Sequence, residues 1–137
     1  METILIIDDE KSLLDLLTVV FKKEGYAVKS SLSAAGGFEI LAKEEIDLVV
    51  TDIKMPGADG MDILRYAREN LPDLPVILIT AFGDERICEE AFTRGTYDIL
   101  LKPFDLDDLL EVLRHAREYT RGRAPRGPRS ALAPERS

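Results

Sequence analysis

Residues 46–60 read IDLVVTDIKMPGADG. The first six, 46–51, form a largely apolar run that predicts a central strand buried on both faces. The strand runs directly into Asp52. One proline and two glycines then mark a loop. Residues 61–70 follow as a short helix whose apolar face is Ile63, Leu64 and Ala67. The order is strand, lone carboxylate, turn, helix.

That order recurs outward in both directions. Thr3–Ile7 is a short apolar strand ended by Asp8 and Asp9. The helix after it carries Leu13, Leu14, Leu17, Val20 and Phe21 at spacings of three and four, and Gly25 stands where a helix stop belongs. Residues 26–31 read as an edge-side strand and 33–44 as a helix with Phe38 and Leu41 facing in. Gly36 and Gly37 weaken that helix by about 1 kcal/mol each relative to alanine. Beyond the central stretch, PVILIT at 75–80 is another buried strand, opened by a proline at a permitted position. Residues 84–94 read as a polar helix ending before Gly95, 97–101 as the last strand, and 105–119 as the last helix. The last helix turns Leu106, Leu109, Leu110, Leu113 and Ala116 to the sheet. Five such β–α repeats predict an α/β fold: a five-stranded parallel sheet with helices on both faces, of flavodoxin-like type.

Size and composition agree. The chain has 137 residues, 45% hydrophobic and 32% charged, enough for one domain with a core and little for a second. No apolar run approaches the roughly 18 residues of a membrane span. The N-terminus METILIIDDE turns acidic where a signal peptide stays apolar, so a cytoplasmic location is expected. A single cysteine, Cys88, excludes an intrachain disulfide framework, and a single histidine, His115, gives no structural zinc site. Cys88 reads as a small core filler, and His115 as a surface or dipole-compensating residue of the last helix.

The formal charge is −8 overall. Residues 117–137 hold six arginines against two glutamates, +4, which leaves −12 on residues 1–116. The body therefore has no broad basic face for nucleic acid. Residues 121–137, RGRAPRGPRSALAPERS, lack periodicity and read as a flexible tail or linker after a domain spanning residues 1–120.

In an open parallel sheet, ligands bind beyond the carboxyl ends of the strands. Asp8 and Asp9 close the first strand, Asp52 follows the third, Thr80 closes the fourth and Lys102 the fifth. All are expected on one rim. Clustered carboxylates repel unless a cation compensates, and a hard divalent ion such as Mg²⁺ suits oxygen ligands. Asp9 and Asp52 are candidate ligands, with Asp8 beside them or acting through water and the Lys54 backbone carbonyl completing the set. Asp52 is the candidate nucleophile toward phosphorus. Lys102 supplies a positive charge to the phosphate, and the Thr80 hydroxyl donates to a phosphoryl oxygen.

IIDDE at 6–10, TDIKMPGADG at 51–60, ITA at 79–81 and LKPF at 101–104 together resemble the receiver domain of bacterial two-component response regulators, most like those of multidomain transcriptional regulators with an ATPase output region. The resemblance covers roughly residues 2–120. It implies a phosphoacceptor at Asp52, an acidic Mg²⁺ pocket of Asp8, Asp9 and Asp52, a switch hydroxyl at Thr80, a phosphate-contacting lysine at Lys102, and a cis peptide before Pro103. It implies a sensor histidine kinase or phosphotransfer protein as donor, with autophosphorylation from small donors and slow autodephosphorylation as the only enzyme-like activities. It also implies homodimers through the fourth helix, fifth strand and fifth helix, and an output domain that 137 residues do not contain. One position departs from the pattern. The family's usual aromatic three residues before the lysine is Ile99. Strand alternation would put Tyr97 on the same side as Ile99, which leaves three outcomes: switching without the ring, Tyr97 in part of its role, or a muted output. Glu85 and Glu89 give the fourth helix an acidic character suited to a selective partner.

Other readings explain less. Acids at a strand end can serve only to start a helix. An aspartyl phosphohydrolase needs a second acid–base carboxylate near the nucleophile, and residue 54 is lysine. A flavin or nucleotide binder wants a glycine- or hydroxyl-rich loop after the first strand, where this chain has DDE. A degenerate receiver acting as a docking module is the remaining alternative.

Overall fold

The computed structural model describes residues 1–81 and 85–120. The expected tail at 121–137 and the first residue of the expected 84–94 helix lie outside them. Strands and helices alternate along the chain: β1 (Thr3–Ile7), α1 (Lys11–Lys23), β2 (Ala27–Ser31), α2 (Ala34–Lys43), β3 (Leu48–Asp52), α3 (Gly60–Asn70), β4 (Val76–Ala81), α4 (Glu85–Thr93), β5 (Asp98–Lys102) and α5 (Leu106–Thr120). The five strands form one parallel sheet in the order β2-β1-β3-β4-β5. The chain winds outward one way from β1 and the other way from β3. The crevice between those two strands is therefore the topological switch point.

Strand alternation sorts the core into two layers. Ile4, Ile6, Val50, Ile77 and Ile79 pack with Leu14, Leu17 and Phe21 of α1 and with Leu109, Val112, Leu113 and Ala116 of α5. Leu5, Ile7, Val49, Val76, Leu78 and Ile99 pack with residues of α2, α3 and α4 on the other face. Every residue of β3 is buried, as a strand covered on both sides requires.

Two details of the sequence reading shift. Leu106 and Leu110 are only partly buried, while Val112 takes an inward position. The buried stripe of α5 is Leu109, Val112, Leu113 and Ala116, so the expected Leu109, Leu113 and Ala116 hold their inward places. Phe38 is likewise half-buried and meets Tyr66 edge-on, with ring centroids 5.5 Å apart. The buried face of α2 is Ala34, Gly37 and Leu41. A Cβ at Gly37 would crowd Ile7, lying 3.1 Å from its Cγ1. The glycine that lowers helix propensity thus lets α2 lie close on β1. Ser33 offsets part of that loss as the N-cap, accepting the Gly36 N–H at 3.1 Å. Among the described residues no helix is long and apolar enough to cross a membrane.

Candidate functional site

Strand register brings the polar strand ends together. Ile7 pairs with Thr51, so Asp8 and Asp52 leave adjacent strands side by side at the switch point. Asp52 pairs with Ile79, which puts Thr80 one residue further along the same rim. Ala81 pairs with Lys102. Asp8, Thr80 and Asp52 are buried, whereas Asp9 is exposed.

The carboxylates of Asp8, Asp9 and Asp52 each offer an oxygen within 4.8 Å of the others. Lys102 reaches across from β5, its Nζ 2.9 Å from Asp52 Oδ2 and 3.4 Å from Asp8 Oδ2. Burial disfavours the Lys102 ammonium, but the hydrogen bond and charge of Asp52, with those of Asp8, outweigh it and raise its pKa. Asp8 behaves oppositely. Burial pushes its carboxyl above the ordinary range and the nearby Asp52 charge adds to this, against the lowering effects of the Glu10 N–H and of Lys102. The Glu10 N–H donates to Asp8 Oδ1 at 2.8 Å. Asp8 therefore also shapes the turn that leads into α1, although α1 itself has no side-chain cap.

The loop after Asp52 is held at several points. The Lys54 N–H donates to Asp52 Oδ1 at 3.3 Å, the Ile53 N–H to the Ile79 carbonyl at 2.8 Å and the Gly60 N–H to the Ile53 carbonyl at 2.9 Å. α3 starts in a reciprocal capping box between Asp59 and Asp62, a D-x-x-D signal legible in the sequence. Gly60 lies so close beneath the acid that a Cβ there would overlap the Asp52 carbonyl oxygen and sit 2.8 Å from Ile53 Cα. Gly60 thus permits the close turn near the site that its position in the loop suggests. The Lys102–Pro103 peptide is cis.

The expectation for Tyr97 is corrected. Tyr97 packs on the α1/α5 side of the sheet, while Ile99 is fully buried on the α2–α4 side. β5 begins at Asp98, so strand alternation does not extend back to residue 97. The Tyr97 ring stacks on Tyr119, with centroids 5.4 Å apart, and its hydroxyl bonds His115 Nδ1. His115 therefore has a specific partner 18 residues away, which a search of sequence neighbours does not find. Cys88 is buried against the α2–α4 layer, as a filler would be.

A doubly wound parallel sheet with three carboxylates and a lysine at its switch-point rim is the arrangement of a phosphoryl-accepting signalling module. The chain belongs to the response regulator receiver domain family, which matches residues 4–114. Domains of this family are phosphorylated on an aspartate and bind Mg²⁺ at an acidic pocket. The chain is 36% identical over 117 residues to the transcriptional regulatory protein GlrR of Escherichia coli, covering 85% of this chain and 26% of the relative. It is 35% identical over 113 residues to the sporulation initiation phosphotransferase F of Bacillus subtilis, covering 82% and 91% respectively. It thus spans about a quarter of the first relative and most of the second. A response regulator receiver domain from Clostridium thermocellum superposes with a TM-score of 0.84 at 32% identity, covering 88% of this chain and 98% of that one. A response regulator from Thermotoga maritima, solved in complex with Mg²⁺-BeF, superposes with a TM-score of 0.77 at 28% identity, covering 85% and 99%.

Proposed function

We propose that Asp52 is the phosphoacceptor of this chain, and that a sensor histidine kinase or phosphotransfer protein is its donor. The observation that carries this is the contact of Asp52 with Lys102 inside a triad of carboxylates at the switch point. Asp8 suits the role less, because it is more deeply buried and lies farther from the Lys102 ammonium, at 3.4 Å against 2.9 Å. One Asp52 oxygen bonds to phosphorus as the bond from phosphorus to the donor breaks, and the leaving group departs with that electron pair. Lys102 then faces the transferred phosphoryl oxygens, and the Thr80 hydroxyl donates to one of them.

The donor set fits a divalent ion. Three carboxylates and one ammonium leave a formal charge of −2 among oxygen ligands. Asp8, Asp9, Asp52 and the Lys54 backbone carbonyl would hold Mg²⁺, which would supply positive charge against the phosphoryl oxygens.

The output reading rests on position. Thr80 and Ile99 lie on adjacent strands, so a shift at Thr80 would reach the α4 side through the buried Ile99 rather than through the Tyr97 ring. The exposed Glu85 and Glu89 of α4 would favour a selective partner. Homodimerisation through α4, β5 and α5, transcription regulation as the final output, and a cytoplasmic location complete the proposal. Light scattering with and without beryllofluoride tests the dimer, and an unchanged monomer counts against it. The phosphoacceptor reading is tested with acetyl phosphate. Uptake of phosphate that needs Mg²⁺ and is lost in Asp52→Asn supports it. Uptake that survives that substitution overturns it.

A further inference from the structure

The end of the sheet opposite the acidic rim carries a second feature. A cleft of about 490 Å³ opens there, walled by Ile46, Leu71, Pro72 and Leu74 and edged by Asp47 and Asp73. Both aspartates are exposed. Thr120, the last residue of α5, also lines this cleft. The chain then continues RGRAPRGPR, residues 121–129, with four arginines and no acid.

We propose that residues 121–129 dock in cis along this cleft, their arginines on Asp47 and Asp73 and Ala124–Pro125 over the apolar wall. Three observations converge. The segment starts at the cleft's own edge, so its local concentration there is high without any search. Nine extended residues reach about 30 Å, more than enough to cross the opening. The charges are complementary within a body that is strongly acidic as a whole. Among the described residues neither aspartate is in an ion pair, although Asp47 accepts the Thr3 N–H and Asp73 feels the charge of Arg68. Arg117 is engaged with Glu2 at 3.1 Å, and Arg68 is turned inward to the Gly95, Leu71 and Leu74 carbonyls. A groove on the other side of α5, lined by Glu24, Asp107 and Glu111, also carries Arg114 and Arg117, so its acids are largely offset and it attracts the segment less. Docking would fix the direction in which the chain leaves the receiver body, and so the geometry offered to whatever it contacts next.

The test uses the full chain with Cys88→Ala and Ser130→Cys, spin-labelled at residue 130 and observed by amide NMR at low salt. The amides of Asp47 and of residues 71–74 should lose most of their intensity, while those of Ser31 and Ser33 at the far end keep theirs. Raising the salt or introducing Arg121→Glu with Arg123→Glu should restore the lost signals. Asp73→Lys should restore them in the wild-type tail. Equal broadening at both ends of the sheet, or none at the cleft, overturns the proposal. Broadening that appears only when labelled and isotope-enriched copies are mixed also overturns it, because the occupant is then the tail of a second molecule.

Discussion

Gly60→Ala tests how closely the phosphoacceptor loop is packed. The added methyl would meet main-chain atoms of Asp52 and Ile53, with the nearest Ile53 atom at 2.8 Å. Those atoms belong to the end of a fully buried strand and to a residue hydrogen-bonded to β4. They cannot rotate away as a side-chain terminus can. Overpacking of a tight site costs about 1–3 kcal/mol, and replacing glycine in a helix returns at most about 1 kcal/mol. With backbone as the obstacle, a net loss of about 2 kcal/mol is expected, or a fall in Tm of roughly 6–10 °C for a fold of this size. Gly37→Ala is the internal control. Its methyl would meet the Ile7 side chain, which can change rotamer, so its net loss should lie between zero and about 1 kcal/mol. Urea unfolding of both variants gives the comparison. Gly60→Ala should also slow phosphoryl uptake, because any relief of the overlap displaces Asp52. A Gly60→Ala protein as stable as wild type, or less perturbed than Gly37→Ala, would refute the reasoning.

Other outcomes follow from the same geometry. The raised pKa of Asp8 means that the native state keeps a proton the unfolded chain has released. Stability of the metal-free protein should therefore fall as pH rises from the ordinary carboxylate range through the raised value. Asp8→Asn should remove that slope and raise the neutral-pH Tm, and a lower Tm would contradict the burial account. Lys102→Ala leaves the three acids without their ammonium, so Mg²⁺ should bind more tightly by calorimetry while phosphoryl uptake slows. Ile99→Ala, at a fully buried position, should cost about 2–5 kcal/mol in denaturant unfolding. Tyr97→Phe removes the hydroxyl bond to His115 and should cost about 1 kcal/mol without changing the rate of phosphoryl uptake. A large rate effect would place Tyr97 back in the switch.

The sequence made β1, β3 and β4 legible because each is a short apolar run cut off by a polar residue, whereas β2, AVKSS, has no such run. It made the rim legible because a parallel sheet sends every such cut to one side. Asp8, Asp52, Thr80 and Lys102 could therefore be grouped across 94 residues of separation without any contact in view. What escaped was set by local ends and by packing. Tyr97 was misplaced because alternation holds only within a strand, and β5 starts one residue later. Gly37 looked like a defect because propensity is a property of the isolated helix, whereas its role depends on Ile7. The His115–Tyr97 bond joins α5 to the residue just before β5, and no periodicity announces it. The reciprocal bonds of Asp59 and Asp62 were available as a spacing pattern.

The most direct test of the central claim is chemical mapping of the phosphorylated residue. The protein is incubated with acetyl phosphate and Mg²⁺, reduced with borohydride to convert the acyl phosphate to an alcohol, and its peptides are sequenced by mass spectrometry. The account predicts homoserine at position 52, absent when the metal is chelated. Reduction at Asp8 or Asp9 instead, or modification of Asp52 that is indifferent to Mg²⁺, would contradict it.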